Sequence, residues 1–180
     1  MLHHIKNNSA YWCAVCLILM VLTNNLAWAN KPHVHGLTQM MVATSDAQLD
    51  IWFEFPATDI VGFEVQASSD EHLKTIENAR TILEQVSVVT AGCQLTDANV
   101  DMGTLLPDGH DHSHHDHNIH KHREITVVYQ YQCPSLNKMK ITTTDLFEQF
   151  PAIHTIQAQW VTDTDQGSQS LTVDQPSLNF

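Results

Sequence analysis

The sequence predicts a single α+β domain, in which an antiparallel sheet is covered by one long helix and carries a His-rich hairpin loop. Several segments alternate apolar and polar residues with period 2, which is typical of half-buried strands, and one segment repeats apolar residues at helical spacing. Of the 180 residues, 43% are hydrophobic, which is enough for a packed core. Runs of strands around one helix are typical of the α+β class.

The strand predictions rest on this alternation. The clearest strand ends at Pro56 and carries a regular series of apolar side chains, namely Leu49, Ile51, Phe53 and Phe55. Further strands are expected over residues 37–44, 93–100, 125–133 and 156–160, with Leu171 and Val173 in an edge strand. Between the second strand and the helix, we expect residues 59–63 to form a connection through Gly62.

The long helix is predicted over residues 70–86. Its apolar residues would form one face, and they are Leu73, Ile76, Ala79, Ile82, Leu83 and Val86. The preceding Ser68-Ser69-Asp70-Glu71 fits a capping box, which favours a helix start at this point. A short helical turn is expected over residues 144–150, because Pro151 would stop it.

The N-terminus has the pattern of a secretory signal peptide. Lys6 precedes an apolar run over residues 10–22, and an A-x-A site ends at Ala29. That run is shorter than the roughly 20 residues that span a bilayer, so a retained membrane anchor is the weaker alternative. Lipidation at Cys16 is another. We expect residues 1–29 to be removed, which leaves one exported domain over residues 30–180 that is not embedded in a membrane.

Two cysteines remain in the mature chain, Cys93 and Cys133. In an exported protein they indicate one disulfide, which would stabilise by roughly 4 kcal/mol in the chain-entropy model. The alternative is a pair of thiolate metal ligands. If the cysteines pair across two antiparallel strands, Val100 faces Thr126, and the intervening loop contains the His-rich segment.

That segment, residues 107–122 and hereafter the His tract, is the main functional signal. It contains seven histidines interleaved with aspartates, namely His110, His112, His114, His115, His117, His120 and His122. Neutral imidazole suits zinc, copper, nickel and cobalt, and carboxylates can orient the rings. The alternatives are a solvated low-complexity loop and a pH-responsive segment. We predict metal binding, with zinc as the main metal.

A second candidate metal site lies at the mature N-terminus. His33 and His35 are two residues apart, so in an extended chain their side chains point to the same side. His154 could complete this site, as could Glu64 or Asp59. The alternative is that His33 and His35 are two exposed histidines near a terminus, and that His154 is a surface or capping residue.

Other functional classes are less favoured. With 8 Lys and Arg against 20 Asp and Glu, the net charge of −12 argues against a nucleic-acid partner. Residues 112–117 match the H-x-H-x-D-H motif of metallo-β-lactamase-type hydrolases, but only His154 remains downstream of the tract as a further histidine ligand. The sequence also lacks a nucleophile elbow and a phosphate loop. We expect a binding protein and not an enzyme.

The order of several short motifs resembles the ZrgA type of zinc-regulated, periplasmic zinc-binding protein. The motifs are His33-Val34-His35-Gly36, Pro56 with Asp59-Ile60-Val61-Gly62-Phe63-Glu64, Ala91-Gly92-Cys93, the His tract before Cys133, and Leu146-Phe147-Glu148-Gln149-Phe150-Pro151. The resemblance implies a periplasmic protein that binds Zn²⁺ and serves zinc uptake with an ABC-type transporter. One departure is Val65, where members of this type often carry histidine.

Two roles remain open at this point. In the first, the protein captures Zn²⁺ and supports uptake through ABC-type permease components. In the second, it is a metal buffer or resistance protein that sequesters zinc, copper or nickel without delivery to a transporter. In either case, zinc affinity should fall as the pH drops through the unperturbed imidazole pKa of about 6.5, because a protonated histidine cannot bind a metal ion.

Overall fold

The structure is a computed structural model that describes residues 34–90, 92–106, 123–135, 140–163 and 165–178. Our predictions for the signal peptide (residues 1–29), for His33 and for the His tract lie outside these ranges. No helix within these ranges is long and apolar enough to cross a membrane.

The described residues form an α+β fold, as predicted. The eight strands are β1 (Leu37–Ser45), β2 (Gln48–Pro56), β3 (Gln94–Asp101), β4 (Glu124–Gln132), β5 (Ile141–Thr142), β6 (Thr155–Val161), β7 (Gln166–Leu171) and β8 (Ser177–Leu178). Six of them make one sheet in the order β3-β4-β2-β1-β6-β7, and β5 pairs with β8. All pairs in the sheet are antiparallel except β1 with β6, which is parallel. Val173, expected in the edge strand, follows β7 in a turn.

The part of the chain that the structure describes contains three α-helices, α1 (Ala57–Val61), α2 (Asp70–Gln85) and α3 (Thr144–Gln149), with a 3₁₀ turn over Gly103–Leu105. Helix α1 replaces part of the predicted connection and ends at Gly62, which adopts the left-handed conformation. The cap of α2 is Ser69 and not Ser68, because the Ser69 side chain accepts from the backbone N–H of His72.

Helix α2 packs on the sheet through Ile76, Ala79 and Leu83, which are buried. The hydroxyl of Tyr129 on β4 donates to the Leu83 carbonyl and ties the helix to the sheet. Leu73 was expected on the same face but is 41% exposed. At 3.6 residues per turn it lies about 90° from the centre of the buried face, which explains the difference.

The β3–β4 hairpin is closed by the predicted disulfide between Cys93 and Cys133. The structure therefore shows these two cysteines as a disulfide and not as a pair of thiolate metal ligands. The predicted pairing of Val100 with Thr126 is wrong by one residue, since Val100 faces Val127. A bulge between Leu95 and Asp97 inserts one extra residue into β3 and shifts the register beyond it.

Within the described ranges, the sheet has one covered face and one open face. Side chains on the covered face form the core with α2, and the largest of them include Phe53, Phe55 and Tyr129. Along β1, β2 and β4, buried residues alternate with half-buried or exposed ones. This alternation is the pattern of a sheet that packs on one side only.

Each of the six strands of this sheet has one terminus at the same end, hereafter the site end. The pairings of Leu37 with Thr155, Pro56 with Glu124, Asp101 with Thr126, and Ile156 with Leu171 place the starts of β1, β4 and β6 beside the ends of β2, β3 and β7. Loops that are distant in sequence therefore lie close together there. The disulfide closes the opposite end of the β3–β4 hairpin.

Candidate metal centre

The described residues that the sequence suggested for the second metal site, which are all of them except His33, lie at the site end. His35 comes just before β1, and His154 just before β6. These two strands are parallel neighbours, so both histidines enter the sheet from the same end. Asp59 lies in α1, which directly follows β2, and Glu64 lies shortly after α1. The topology thus gathers two imidazoles and two carboxylates in one place.

Asp59 is the buried member of this group, with a residue exposure of 6%. Its Oδ2 accepts a hydrogen bond of 2.7 Å from the backbone N–H of Gly36. Burial raises the pKa of Asp59 above its usual value, while the Gly36 hydrogen bond and the charges of His35 and His154 act in the opposite direction. A buried carboxylate with a raised pKa is a group that gains from a nearby cation.

The His35 ring is held by two polar side chains, those of Thr58 and Glu64. Its Nδ1 lies 2.7 Å from Thr58 Oγ1 and 3.8 Å from Glu64 Oε1. Thr58 in turn donates to Glu64 Oε1 at 3.5 Å. The ring is 65% exposed, so a solvated ion can reach it. These contacts orient one ring nitrogen, which is how many metal-ligating histidines are arranged.

Gly36 connects His35 to His154. Its carbonyl accepts backbone hydrogen bonds of 2.9 Å from both His154 and Thr155, which fixes the loop before β6. Gly36 has a φ of +79°, and a Cβ at this position would lie 2.7 Å from His154 Nδ1. The absence of a side chain therefore lets the His154 ring pack directly against the backbone beside His35.

The donor types fit zinc, which takes imidazole nitrogen and carboxylate oxygen. In the ranges that the structure covers, however, no group of three or more His, Cys, Asp or Glu side chains is placed closely enough to hold a metal ion. Binding at this site would therefore require side-chain rotation, most readily of the exposed His35 and His154. The remaining candidate of this site, His33, precedes the described residues.

The two flanks of the His tract are fastened at the same end of the sheet. On the N-terminal flank, the carbonyl of Leu105 accepts from Ala67 N–H at 2.7 Å, and that of Leu106 from the Gln66 side chain at 3.2 Å. On the C-terminal flank, the Arg123 carbonyl accepts from Ala57 N–H at 2.9 Å. The Arg123 side chain also donates to the carbonyl of Thr104. Both flanks thus contact α1 or the loop that carries Glu64.

Two residues of this site were not among the sequence candidates. Thr58 gave no signal, because a single threonine after a strand has no characteristic pattern. Gly36 follows the His-x-His pair directly, and a glycine at that point does indicate a close backbone approach. The departure noted in the sequence, Val65, is exposed beside Glu64 and supplies no donor.

A comparison with known protein families now bears on the metal. The sequence profile described as ZrgA family zinc uptake protein matches residues 32–180. The chain belongs to the ZrgA family. The resemblance seen in the sequence is therefore confirmed, and the role of this ZrgA family member is connected with zinc. A search of curated proteins gives no significant match.

Proposed function

We propose that this ZrgA family member captures Zn²⁺ in the periplasm and supports its uptake through an ABC-type transporter. The observation that carries the proposal is the convergence of His35, His154, Asp59 and Glu64 at the site end of the sheet. Family membership supplies zinc as the cargo. We also propose that the protein is a binding protein and not an enzyme, which the family's description as zinc uptake proteins supports.

In this proposal, His35 and His154 are the nitrogen ligands. Asp59 supplies a negative charge that burial leaves poorly solvated, so an incoming divalent cation relieves the desolvation of the carboxylate. Glu64 holds Thr58 and His35 in place and is close enough to join the coordination after a modest rotation. Both imidazoles must be neutral to ligate, so binding releases protons in acidic solution.

The His tract would act as the collector. Its histidines, His110, His112, His114, His115, His117, His120 and His122, offer many alternative ligand sets. The anchoring of Leu106 and Arg123 beside α1 supports this role, because zinc bound by the tract would be released close to the structured site. Transfer would then cover a short distance within one molecule, which raises the effective concentration of zinc at that site.

The site is tested by zinc titration of the mature domain lacking residues 108–122, in competition with a chromophoric chelator. We expect one tight zinc equivalent, and we expect its affinity to fall at least about tenfold in His35→Ala and in His154→Ala. The matched control is His72→Gln, because His72 stacks on Phe63 and is not among the proposed ligands. Equal affinities in all four proteins would contradict the site.

Uptake is separated from buffering by growth experiments. If the protein serves the transporter, deletion of its gene impairs growth only under zinc limitation. Its deletion then adds no defect in a strain that already lacks the transporter's ATPase. A buffer would instead protect cells against excess zinc, copper or nickel, whether or not the transporter is present. Protection of the second kind would overturn the proposed delivery.

A further inference from the structure

The open face of the sheet is a surface that the metal site does not use. It consists of the strand residues whose side chains point away from α2, and its centre is a row across three neighbouring strands. Met41 on β1 is paired with Trp52 on β2, and Trp52 with Val128 on β4. The described ligand candidates, His35, Asp59, Glu64 and His154, lie at the site end of the sheet and not on this face.

The centre of the open face is apolar. Met41 and Val161 are each 59% exposed, and Trp52 and Val128 are half-buried. The pairings of Met41 with Gln159 and of Ala43 with Val161 place these residues on adjacent rows of the same face. Methionine and tryptophan surrounded by polar residues are typical of the centre of a protein–protein interface.

The charged side chains around the apolar centre of the open face are acidic. Asp50 and Glu54 flank Trp52 along β2, while Asp97 and Asp101 occupy the same face of β3. Gln130 on β4 lies between these two pairs of acids, and the amides of Gln39, Gln157 and Gln159 lie on the other side of β2. No Lys or Arg occupies an outward position on the six described strands of this sheet.

The charge distribution selects among possible occupants. A second copy of this chain would bring carboxylates against carboxylates, and an anionic membrane surface would be repelled in the same way. We propose that the open face binds a partner protein whose contact surface carries Lys and Arg around an exposed apolar side chain. Met41 and Trp52 would contact the apolar side chain, while Asp50, Glu54, Asp97 and Asp101 attract the basic residues around it.

The first test is site-specific photo-crosslinking of the full chain in its native cells. A benzoylphenylalanine is placed at Met41, and the control position is Leu73 on the outer side of α2, which is 41% exposed. We expect the Met41 probe, and not the Leu73 probe, to give a discrete adduct with one other protein, which mass spectrometry identifies. No adduct, or an adduct with a second copy of the chain, would overturn the proposal.

The second test measures the affinity of the identified protein, purified, for charge-reversal variants. Asp50→Lys/Glu54→Lys is expected to weaken binding at least about tenfold, because two attractive contacts become repulsive. The control is Glu77→Lys/Glu84→Lys, two exposed acids on α2, which should bind like the wild type. Affinity should also fall with rising salt. Equal weakening by both pairs, or no weakening by the first, would contradict a specific role of the open face.

Discussion

The His tract and the site end both offer imidazole donors, but they arrange these donors in opposite ways. In the His tract, the donors are neighbours in sequence, so nearly any of them can combine. At the site end, His35, Asp59 and His154 are far apart in sequence and are brought together by the pairing of β1 with both β6 and β2. Many histidines close together in sequence allow a segment to bind several zinc ions, whereas ligands that the fold brings together are held in a defined orientation. A single well-oriented site binds more tightly because less freedom is lost on binding.

The largest effect is expected from removing the His tract while the candidate ligands at the site end are kept. Replacing residues 108–122 by a Gly/Ser linker of equal length should reduce the number of bound zinc ions from several to one, because the tract holds seven of the histidines. Equilibrium dialysis with metal analysis measures this number. Retention of several ions by the linker variant would show that the tract is not the collector. Loss of every ion would show that the site end does not bind zinc by itself.

The second effect concerns the buried carboxylate. Asp59→Ala leaves the Gly36 N–H without its acceptor, which should lower the free energy of unfolding by about 1–3 kcal/mol. It should also weaken the tight zinc equivalent. Urea unfolding and chelator competition measure the two effects. The control is Asp163→Ala, an exposed acid near the other end of β6, which should change neither.

The third effect separates backbone strain from contact with His154. Gly36 and Gly62 both have a positive φ, so Gly36→Ala and Gly62→Ala should each lose about 1–2 kcal/mol of stability from strain. Only the Cβ at Gly36 meets the His154 ring, since nothing lies within 4 Å of one at Gly62. Zinc affinity should therefore fall in Gly36→Ala and stay unchanged in Gly62→Ala. Equal losses of affinity would mean that the position of His154 is not what matters.

Much of the fold could be predicted because its strongest signals are local. The alternation in β2 and the helical spacing in α2 depend only on neighbouring residues and the geometry of one face. The parallel pairing of β1 with β6 could not be predicted, since it depends on where the chain returns after α3. The bulge in β3 was also missed, because nothing in residues 94–97 distinguishes it from a regular strand.

The candidate metal site could likewise be predicted only in part from the sequence. His35, Asp59, Glu64 and His154 were each recognisable as possible donors by residue type. Their grouping depends on which strand termini share an end of the sheet, and this is a property of the topology. The contacts of Thr58 with His35 and of Gly36 with His154 are consequences of that grouping, so the partners of these two residues became visible only in three dimensions.

The smallest effect is a pH dependence that distinguishes the folded site from the tract. Burial raises the pKa of Asp59 in the folded state, so the folded protein binds this proton more tightly than the unfolded chain does. The contribution of the group to stability is therefore full below its ordinary pKa of 3.8 and is lost as the pH rises through the folded pKa. Asp59→Asn can keep an acceptor for Gly36 without the charge.

The metal-free Asp59→Asn variant should consequently gain stability relative to the wild type as the pH rises from about 4 to 7, while binding zinc more weakly. Urea unfolding at several pH values measures the difference, and Asp163→Asn serves as the exposed control. A constant difference across this range would mean that the buried charge is not destabilising. A growing difference would show that the folded site retains a carboxylate at the expense of stability, which is expected where that charge is needed for a cation.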